Sequence, residues 1–308
     1  MDEQKGSNTI SEGSKMEQII SVSTLAYQGY DLPTALREIS GLGAMYVELA
    51  FIKAYSSDLK EEDFSEKNAQ KFKRMLSEFG LSMVALSAHM DLGRDDSVDP
   101  FKRKMTFAKE IGARIIITNA SQRSHENSFF KNMEIMAQFG ESIQLIIALE
   151  NPGDGEDHIV DYAKTGALTV QKIGSDFVRL NYDIGNIFIY SKGTLRPEAD
   201  FEEAIPWSVH FHLKDIREDE AGYFYSEIGK GVINYRMVLR SIYEKVPSIP
   251  MGIELPLCLK RGRDFIPWID HTPVELPEIR RVLKGSLEFI KSVWVLNEIR
   301  HNGSVTYE

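Results

Sequence analysis

Four side chains that can bind a metal ion follow short apolar runs in distant parts of the chain. They are Glu150 in IIALEN, Asp183 in LNYDIGN, His212 in VHFHLKD and Glu254 in MGIELP. Three carboxylates and one imidazole form an oxygen-rich ligand set with one borderline ligand. Such a set suits Mn²⁺ or Mg²⁺ and accepts Co²⁺ or Zn²⁺. The residue types therefore indicate one divalent cation, with Mn²⁺ as the preferred prediction.

Each of these side chains also has an ordinary explanation. A carboxylate just after a strand often caps the next helix, and a histidine within a strand is usually a hydrogen-bonded core residue. Together they favour a metal site, because acidic groups that converge away from water repel one another unless a cation neutralises them. His210 shares a strand face with His212, so periodicity cannot choose between them. We take His212, nearer the strand end, as the ligand and expect His210 to lie deeper as a hydrogen-bonded support.

The segments that must position these residues alternate between β-rich apolar runs and longer stretches of helical period. This alternation is typical of βαβ units that share a parallel sheet, and eight strand–helix pairs can be counted. The predicted strands are Ile19–Leu25, Met45–Leu49, Ser82–Ala88, Arg114–Thr118, Gln144–Leu149, Val178–Tyr182, Val209–Leu213 and Met251–Leu255. The four metal-capable residues then stand at the carboxyl ends of strands, where the loops of a barrel form its mouth.

The helices between these strands carry start and stop signals. An apolar stripe over residues 72–79 is followed by Gly80, where a glycine cap belongs. Asp99 followed by Pro100 predicts an N-cap residue with proline at the first position of another helix. A long stripe over residues 279–294 predicts a last helix that packs on the barrel wall.

Eight regular units without a composition break favour a closed barrel over an open doubly wound sheet. The expected fold is a single (β/α)₈ TIM barrel of the α/β class, which needs about 250 residues. We assign residues 18–308 to this domain. Residues 1–17 are polar, contain glycine and serine, and lack periodicity, so we predict a disordered N-terminal arm.

Composition narrows the classes of function. The net charge is -10 and the pI is about 5.3, so the average surface repels phosphate backbones and nucleic acid is not an expected partner. The single cysteine, Cys258, excludes an intrachain disulfide and the CxxC pairs of structural zinc sites. No apolar run approaches the roughly 18 residues of a membrane span, and the first residues lack the pattern of a secretory signal. We therefore expect a cytoplasmic protein with no membrane partner.

Five short segments occur in a recognisable order in the second half of the chain. They read LEN, YDIGN, HFHLKD, GKGVINY and GIEL. This order resembles the xylose isomerase-like TIM-barrel superfamily of sugar and sugar-phosphate isomerases and epimerases, which also contains endonuclease IV-type DNA repair enzymes. The likeness covers the chain from about Ile19 to Ile290, and it is specific only from Glu150 onward.

The resemblance implies that the four metal-capable residues are ligands and that Glu150 and Glu254 double as the acid/base pair. The expected activity is a divalent-metal-dependent epimerase or isomerase of a ketose or ketose phosphate. A bound cation acidifies the α-proton by stabilising the enediolate that forms when this proton leaves. One glutamate then removes the proton from one face, and the other returns a proton to the opposite face, which inverts the carbon. Return of the proton to the neighbouring carbon would isomerise the sugar instead.

Further side chains near the predicted mouth are candidates for substrate contact, although caps, turns and solvated loop charges explain each of them as well. The candidates are His89, Glu48, Asn119, Asn186, Lys214, Asp215 and Arg217, of which Glu48 could instead support a metal ligand. Arg217 could also bind a substrate phosphate, as could Lys230, Arg261 and Arg263. The Gly229–Gly231 turn could present backbone N–H groups to an anion, although a plain turn explains it too.

Three alternatives to an isomerase stay open at this point. A dehydratase or other lyase could use the same site, because an enolate can expel a leaving group. An endonuclease IV-type enzyme would need a histidine-rich cluster of three metal ions, and this chain has Asn119 and Asn186 where that branch places histidines. A non-catalytic sugar-binding protein would not need two flanking glutamates. A homo-oligomer is possible, with the apolar Phe265–Trp268 segment as a candidate contact or lid.

Overall fold

A closed barrel of parallel strands forms the centre of the computed structural model, which describes residues 18–52 and 60–303. Its strands are β1 (Ile20–Ser23), β2 (Tyr46–Ala50), β3 (Ala85–Ser87), β4 (Ile115–Asn119), β5 (Ile146–Glu150), β6 (Val178–Asp183), β7 (Ser208–Leu213) and β10 (Met251–Ile253). Every strand pairs in parallel with two neighbours, and β10 closes the barrel by pairing with β1. The predicted (β/α)₈ barrel and its eight strands are confirmed. The predicted N-terminal arm, residues 1–17, lies outside the described residues.

The helices follow the strands around the outside of the barrel. They are α1 (Leu32–Gly41), α2 (Glu66–Glu78), α3 (Val98–Glu110), α4 (Glu126–Ile143), α5 (Ala163–Ile173), α6 (Ile184–Tyr190), α7 (Tyr235–Lys245) and α8 (Leu276–Gly303). Among the described residues, none of these helices has the length and apolar character needed to cross a membrane.

Two of the predicted helix signals have different outcomes. Gly80 follows the end of α2 with a φ of 66°, and its N–H donates to the carbonyl of Ser77, so the predicted glycine stop is confirmed. The predicted cap at Asp99 is wrong, because α3 already begins at Val98 and Asp99 is its second residue. A carboxylate in the first helical turn interacts with the helix dipole without capping the backbone, which explains why the sequence signal was similar.

Apolar side chains from strands and helices meet in one large core between the barrel wall and the helices. The helix α8 contributes a buried stripe that includes Ile279, Leu283 and Leu287, each at most 4% exposed. This stripe confirms the predicted packing of the last helix on the barrel. The core therefore fixes the strands whose carboxyl ends carry the polar residues described below.

A second sheet covers part of the barrel mouth. Its strands are β8 (Asp215–Asp219), β9 (Gly222–Ser226), β11 (Leu259–Arg261) and β12 (Pro267–Ile269), all paired antiparallel in the order β12-β11-β9-β8. It stands at the carboxyl ends of β7 and β10, since β8 begins two residues after β7 ends. We call it the mouth sheet. The sequence did not predict it, because the charged run of β8 and the short strands near the apolar loop lack a clear alternation.

Close backbone packing links α6 to the segment after β7. A Cβ atom at Gly185 would lie 2.6 Å from the carbonyl oxygen and 2.6 Å from the Cβ atom of Lys214. The glycine therefore allows the first turn of α6 to rest directly on the chain at Lys214. This contact fixes where the Lys214 side chain starts, next to the polar cluster at the mouth.

We expect Gly185→Ala to lower the free energy of unfolding by about 1–3 kcal/mol, because the new methyl group meets backbone atoms that cannot rotate away. Gly41→Ala is the matched control, since Gly41 ends α1 and a Cβ atom there would meet nothing within 4 Å. That control should be neutral or slightly stabilising. Chemical denaturation of the two variants measures the difference, and equal stabilities would contradict the packing described for Gly185.

Candidate metal centre

The four side chains that the sequence singled out meet at the barrel mouth. They come from strands that are consecutive around the barrel in the order β10-β7-β6-β5. Glu150 ends β5 and Asp183 ends β6, His212 is the penultimate residue of β7, and Glu254 directly follows β10. One ligand atom from each residue lies within 4.8 Å of the others, and all four residues are buried. All parallel strands of a barrel end at the same rim. Residues at these ends therefore converge there, even when they are distant in the chain.

The His212 imidazole presents one ring nitrogen to the cluster and the other to a support. Its Nδ1 atom lies 3.1 Å from Glu150, 3.2 Å from Glu254 and 3.9 Å from Asp183. Its Nε2 atom lies 2.9 Å from Oε1 of Glu48. If Nε2–H donates to Glu48, the Nδ1 lone pair is left to face a metal ion, which is the arrangement usual for a histidine ligand.

Glu48 lies beneath His212 and is fully buried. Its Oε1 atom also accepts a 2.9 Å hydrogen bond from the Ser87 hydroxyl, and its Oε2 atom lies 3.7 Å from Nε2 of His210. The sequence suggested Glu48 as a substrate contact or as a support of the cluster. Its burial and its bond to the rear nitrogen of His212 correspond to a support that orients the imidazole.

His210 occupies the layer below the cluster. Its Nδ1 atom lies 2.8 Å from Oδ1 of Asn181, and the ring is 1% exposed. Burial lowers the pKa of His210 to about 4, against the opposing negative charge of Glu48, so the ring is neutral near pH 7. A neutral, hydrogen-bonded imidazole at this depth matches the support that was expected.

Asn181 joins the two layers and was missed by the sequence analysis. Its amide nitrogen donates to Oε2 of Glu150 at 2.9 Å and lies 3.0 Å from Nδ1 of His212. Its amide oxygen faces His210. The available signal was strand alternation, because Asn181 precedes Asp183 by two residues and so shares its face of β6.

Buried carboxylate oxygens without hydrogen bonds mark the part of the cluster where a cation fits. Asp183 accepts a bond from the Asn186 N–H on Oδ1, but its Oδ2 atom accepts none from the described residues. The same holds for both carboxylate oxygens of Glu254. Burial raises the pKa of Asp183 to about 6, although the charge of Lys214 acts in the opposite direction. Such oxygens need a positive charge, so this donor set fits a divalent ion.

The ammonium group of Lys214 lies against these same oxygens. Its Nζ atom is 2.5 Å from Oδ2 of Asp183, 2.6 Å from Oε2 of Glu254 and 3.8 Å from Oε1 of Glu150. Burial by itself would lower the pKa of Lys214, but the surrounding carboxylates raise it well above its ordinary value. Lys214 is therefore protonated, and its ammonium would compete with a divalent ion for two of the four ligands.

Within the cluster, Glu150 is the carboxylate with the most polar neighbours. Besides Asn181, its oxygens lie 3.3 Å from the Asn186 amide nitrogen and 3.3 Å from Nε2 of His89. Burial alone would raise the pKa of Glu150, but its interactions with the His212 and His89 imidazoles hold it well below its usual range. The group is thus ionised at neutral pH and can accept a proton.

Two further candidates surround this carboxylate. The His89 side chain is 15% exposed, which leaves its ring accessible at the mouth next to Glu150. Asn119 ends β4 in register with Glu150, and its buried Oδ1 atom accepts no hydrogen bond from the described residues. The structure therefore brings His89, Asn119 and Asn186 to the rim of the cluster, where a substrate hydroxyl would need donors and acceptors.

The carboxylate of Asp215 faces the Gly229–Gly231 turn, whereas the sequence suggested contact with a substrate. Its Oδ2 atom accepts hydrogen bonds from the N–H groups of Gly229 and Gly231, at 2.8 and 2.9 Å, and its Oδ1 atom accepts from the N–H groups of Ile216 and Ile233. The glycine turn thus does present N–H groups to an anion, but the anion is a carboxylate of the chain itself. Asp215 is used to hold this turn and is not turned toward a substrate.

Arg217 also departs from the expectation of a substrate contact. It is exposed on β8, and its guanidinium lies 5.6 Å from the ring centre of Phe224. Arg217 pairs with Phe224 in the mouth sheet, whereas Ile216 pairs with Tyr225, so Arg217 points to the face away from Tyr225. The sequence did not indicate the face of β8 on which the Arg217 side chain would lie.

Comparison with known proteins identifies the family. The family model of xylose isomerase-like TIM barrels matches residues 36–266, which is more than half of the chain. The protein therefore belongs to the xylose isomerase-like TIM barrel family. Among curated proteins it is similar to a probable L-ribulose-5-phosphate 3-epimerase of Mycoplasma pneumoniae, at 24% identity over 277 residues that cover 82% of this chain and 81% of that protein.

Solved structures with the same fold extend over most of this chain. An L-ribulose 3-epimerase superposes with a TM-score of 0.70 at 14% identity and covers 95% of this chain and 99% of its own. A D-psicose 3-epimerase of Clostridium cellulolyticum H10, solved with D-tagatose, gives 0.69 at 12% identity over 90% and 99%. A probable 3-DHS dehydratase of Bacillus anthracis gives 0.64 at 12% identity over 89% and 99%. At these identities the structures confirm the fold alone.

We expect Glu48→Gln to weaken divalent metal binding about 10- to 100-fold, because the uncharged amide no longer favours the His212 tautomer that faces the cluster. Glu110→Gln, on the exposed end of α3, removes the same charge far from the support layer and serves as the control. Titration of the metal-free variants with Mn²⁺ gives the affinities. Wild-type affinity in Glu48→Gln would show that this carboxylate does not orient the ligand.

Proposed function

We propose that this protein is a divalent-metal-dependent epimerase or isomerase of a ketose or ketose phosphate. The observation that carries the proposal is the arrangement of Glu150 and Glu254, which flank Asp183 and His212 at the two ends of one arc of strands. A substrate carbon held above the centre of this arc would have a carboxylate on either side. Removal of a proton from one face and its return to the other requires this placement.

The chain's residues support this chemistry in distinct ways. Glu150 is ionised at neutral pH, so its carboxylate can accept a proton from the substrate. His89 and Asn186, both within 3.3 Å of Glu150, are placed to bind a substrate hydroxyl beside the reacting carbon. Lys214 is placed to donate hydrogen bonds to a substrate oxygen if an ion draws Asp183 and Glu254 away from its ammonium group.

The cofactor in this proposal is one divalent ion held by Glu150, Asp183, His212 and Glu254, with Mn²⁺ preferred over Mg²⁺, Co²⁺ or Zn²⁺. When bound, such an ion would polarise the carbonyl group and stabilise the negative charge that develops on the substrate oxygens as the α-proton leaves. The support layer of Glu48 and Asn181 holds His212 and Glu150 in place for this role.

The names of similar proteins support a sugar substrate. The relative from Mycoplasma pneumoniae is named for a 3-epimerase of a ketose phosphate, and two solved relatives are named for 3-epimerases of free ketoses. We therefore place the reaction at C3 of a ketose as the first hypothesis. A cytoplasmic location and a homo-oligomeric state stay predictions from the sequence.

Deuterium exchange tests the proposed reaction directly. The Mn²⁺-loaded protein is incubated with a panel of ketoses and ketose phosphates in D₂O, and incorporation is followed by NMR. We expect deuterium at C3 for an epimerase and at C1 for an isomerase. Glu150→Gln and Glu254→Gln should each reduce the exchange at least about 100-fold, because each removes one proton-transfer group.

The control for charge removal is Glu141→Gln, an exposed position on α4, which should exchange at the wild-type rate. Exchange that persists in Glu150→Gln or Glu254→Gln would remove the roles assigned to them. Loss of water with an unsaturated product would instead identify a dehydratase. Cleavage of DNA at abasic sites would move the protein to the endonuclease IV branch, and binding without exchange would indicate a sugar-binding protein.

A further inference from the structure

Arg261 is a buried cation without an acidic partner among the described residues. The buried lysines and arginines of that part of the chain are Lys104, Lys214 and Arg261. Lys104 pairs with Glu61 and Lys214 contacts the carboxylates of the metal centre, each within 4 Å. For Arg261, which is 8% exposed, no carboxylate of the described residues lies within that distance. A buried guanidinium that lacks an anion is costly, so an anion from outside the described chain is the expected partner.

The guanidinium of Arg261 is held in place by two carbonyl groups. Nη1 donates to the carbonyl of Phe265 at 3.1 Å, and Nη2 donates to the carbonyl of Gly153 at 3.0 Å. Its buried Nε–H donates to no acceptor among the described residues. Two bonds to neutral carbonyls fix the orientation of the group but leave its charge and at least this N–H unused. The side chain is therefore preorganised to bind an anion.

The position of Arg261 connects it to the metal centre from two sides. A Cβ atom at Gly153 would lie 2.8 Å from Oδ1 of Asn186, and the Asn186 amide contacts Glu150. On the other side, burial raises the pKa of Tyr225, whereas the nearby charges of Lys214 and Arg261 act to lower it. Tyr225 thus lies near both cations, so the buried arginine stands beside the residues that surround the metal centre.

The mouth sheet determines the side on which the Arg261 side chain lies. Arg261 pairs with Tyr223 across β11 and β9, so the two side chains share the face that packs on α6. The Tyr223 ring stacks on Phe265 at 4.3 Å, and Phe265 has a φ of 64°, which is uncommon for a residue other than glycine. The Phe265 carbonyl accepts a hydrogen bond from Arg261, which keeps the guanidinium on the inner face of the sheet.

We propose that Arg261 binds the phosphate group of a ketose phosphate whose sugar end lies at the metal centre. The inference rests on the proposed function for the sugar end and adds the substrate class and the residue that selects it. A guanidinium matches a phosphate in charge and can form paired N–H···O bonds with it. A free ketose offers no charge to this arginine, so the phosphorylated sugar is the preferred substrate.

Binding of inorganic phosphate to the Mg²⁺-loaded protein tests the assignment without any turnover. We expect isothermal titration to detect binding to the wild type, and Arg261→Met to weaken it at least about 10-fold because the charged hydrogen bonds are lost. Lys260→Met is the matched control, since it removes a positive charge at the preceding position of β11 on the opposite face of the sheet. The control should bind phosphate within about twofold of the wild type.

Kinetics with substrate pairs supply the second readout. For Arg261→Met we expect the ratio of kcat/KM for the ketose phosphate to kcat/KM for the corresponding free ketose to fall about 10- to 100-fold. An equal loss with both substrates, or phosphate binding that persists in Arg261→Met, would overturn the assignment and leave Arg261 as a structural clamp. If Arg261→Met does not fold, Arg261→Lys decides, since it keeps the charge and should lose the paired bonds and at least about 10-fold in phosphate affinity.

The two proposals can fail separately. If the wild type binds phosphate in an Arg261-dependent way but exchanges no ketose proton in D₂O, the phosphate site stands and the isomerase or epimerase reaction is rejected. If the wild type exchanges protons of free ketoses but does not bind phosphate, the reaction stands and the role of Arg261 is rejected.

Discussion

The charge of three carboxylates that converge away from water is the constraint on which the rest of this site depends. Glu150, Asp183 and Glu254 are all buried, and of the three oxygens without a regular hydrogen bond among the described residues, two lie against the Lys214 ammonium and one, Oε1 of Glu254, does not. Carboxylates in such surroundings either take up protons or require positive charge close by. Without an ion the Lys214 ammonium supplies part of that charge, and a divalent ion held by the four ligands would take its place.

The barrel explains how this arrangement of ligands is held in place. Consecutive parallel strands deliver one ligand each, so backbone hydrogen bonds fix the spacing between ligands. Beneath them, Glu48 and Asn181 determine which atoms of His212 and Glu150 face the mouth. Above them, the mouth sheet brings Arg261 to the rim. The site therefore has carboxylates on one side and a guanidinium on the other. Such a polarity would orient a substrate that carries an anionic group at one end.

The sequence predicted the barrel well because its signals are local and repeated. Each strand is a short apolar run, and a polar residue at its carboxyl end lies at the mouth of the barrel. Spacing and residue type were therefore enough to find Glu150, Asp183, His212 and Glu254. The mouth sheet could not be predicted, because it is an insertion whose short strands depend on pairing across distant segments.

Other details of the site depend on orientations that a sequence does not contain. Asp215 and Arg217 are neighbours of the ligand segment, yet one holds a glycine turn and the other points to the outer face of the mouth sheet. Asn181 and Arg261 gain their importance only from the structure. Their residue types are common in loops and strands, and only their burial and contacts distinguish them from solvated or structural residues.

The most direct measurement of the central claim is a calorimetric titration of the metal-free protein with Mn²⁺. The account predicts one ion bound per chain, a loss of affinity of at least about 100-fold in Asp183→Asn and Glu254→Gln, and affinity equal to or above that of the wild type in Lys214→Met, whose ammonium no longer competes. A wild-type protein that binds no divalent ion, or affinities that are unchanged in Asp183→Asn and Glu254→Gln, would contradict it and leave Lys214 as the charge that balances the cluster.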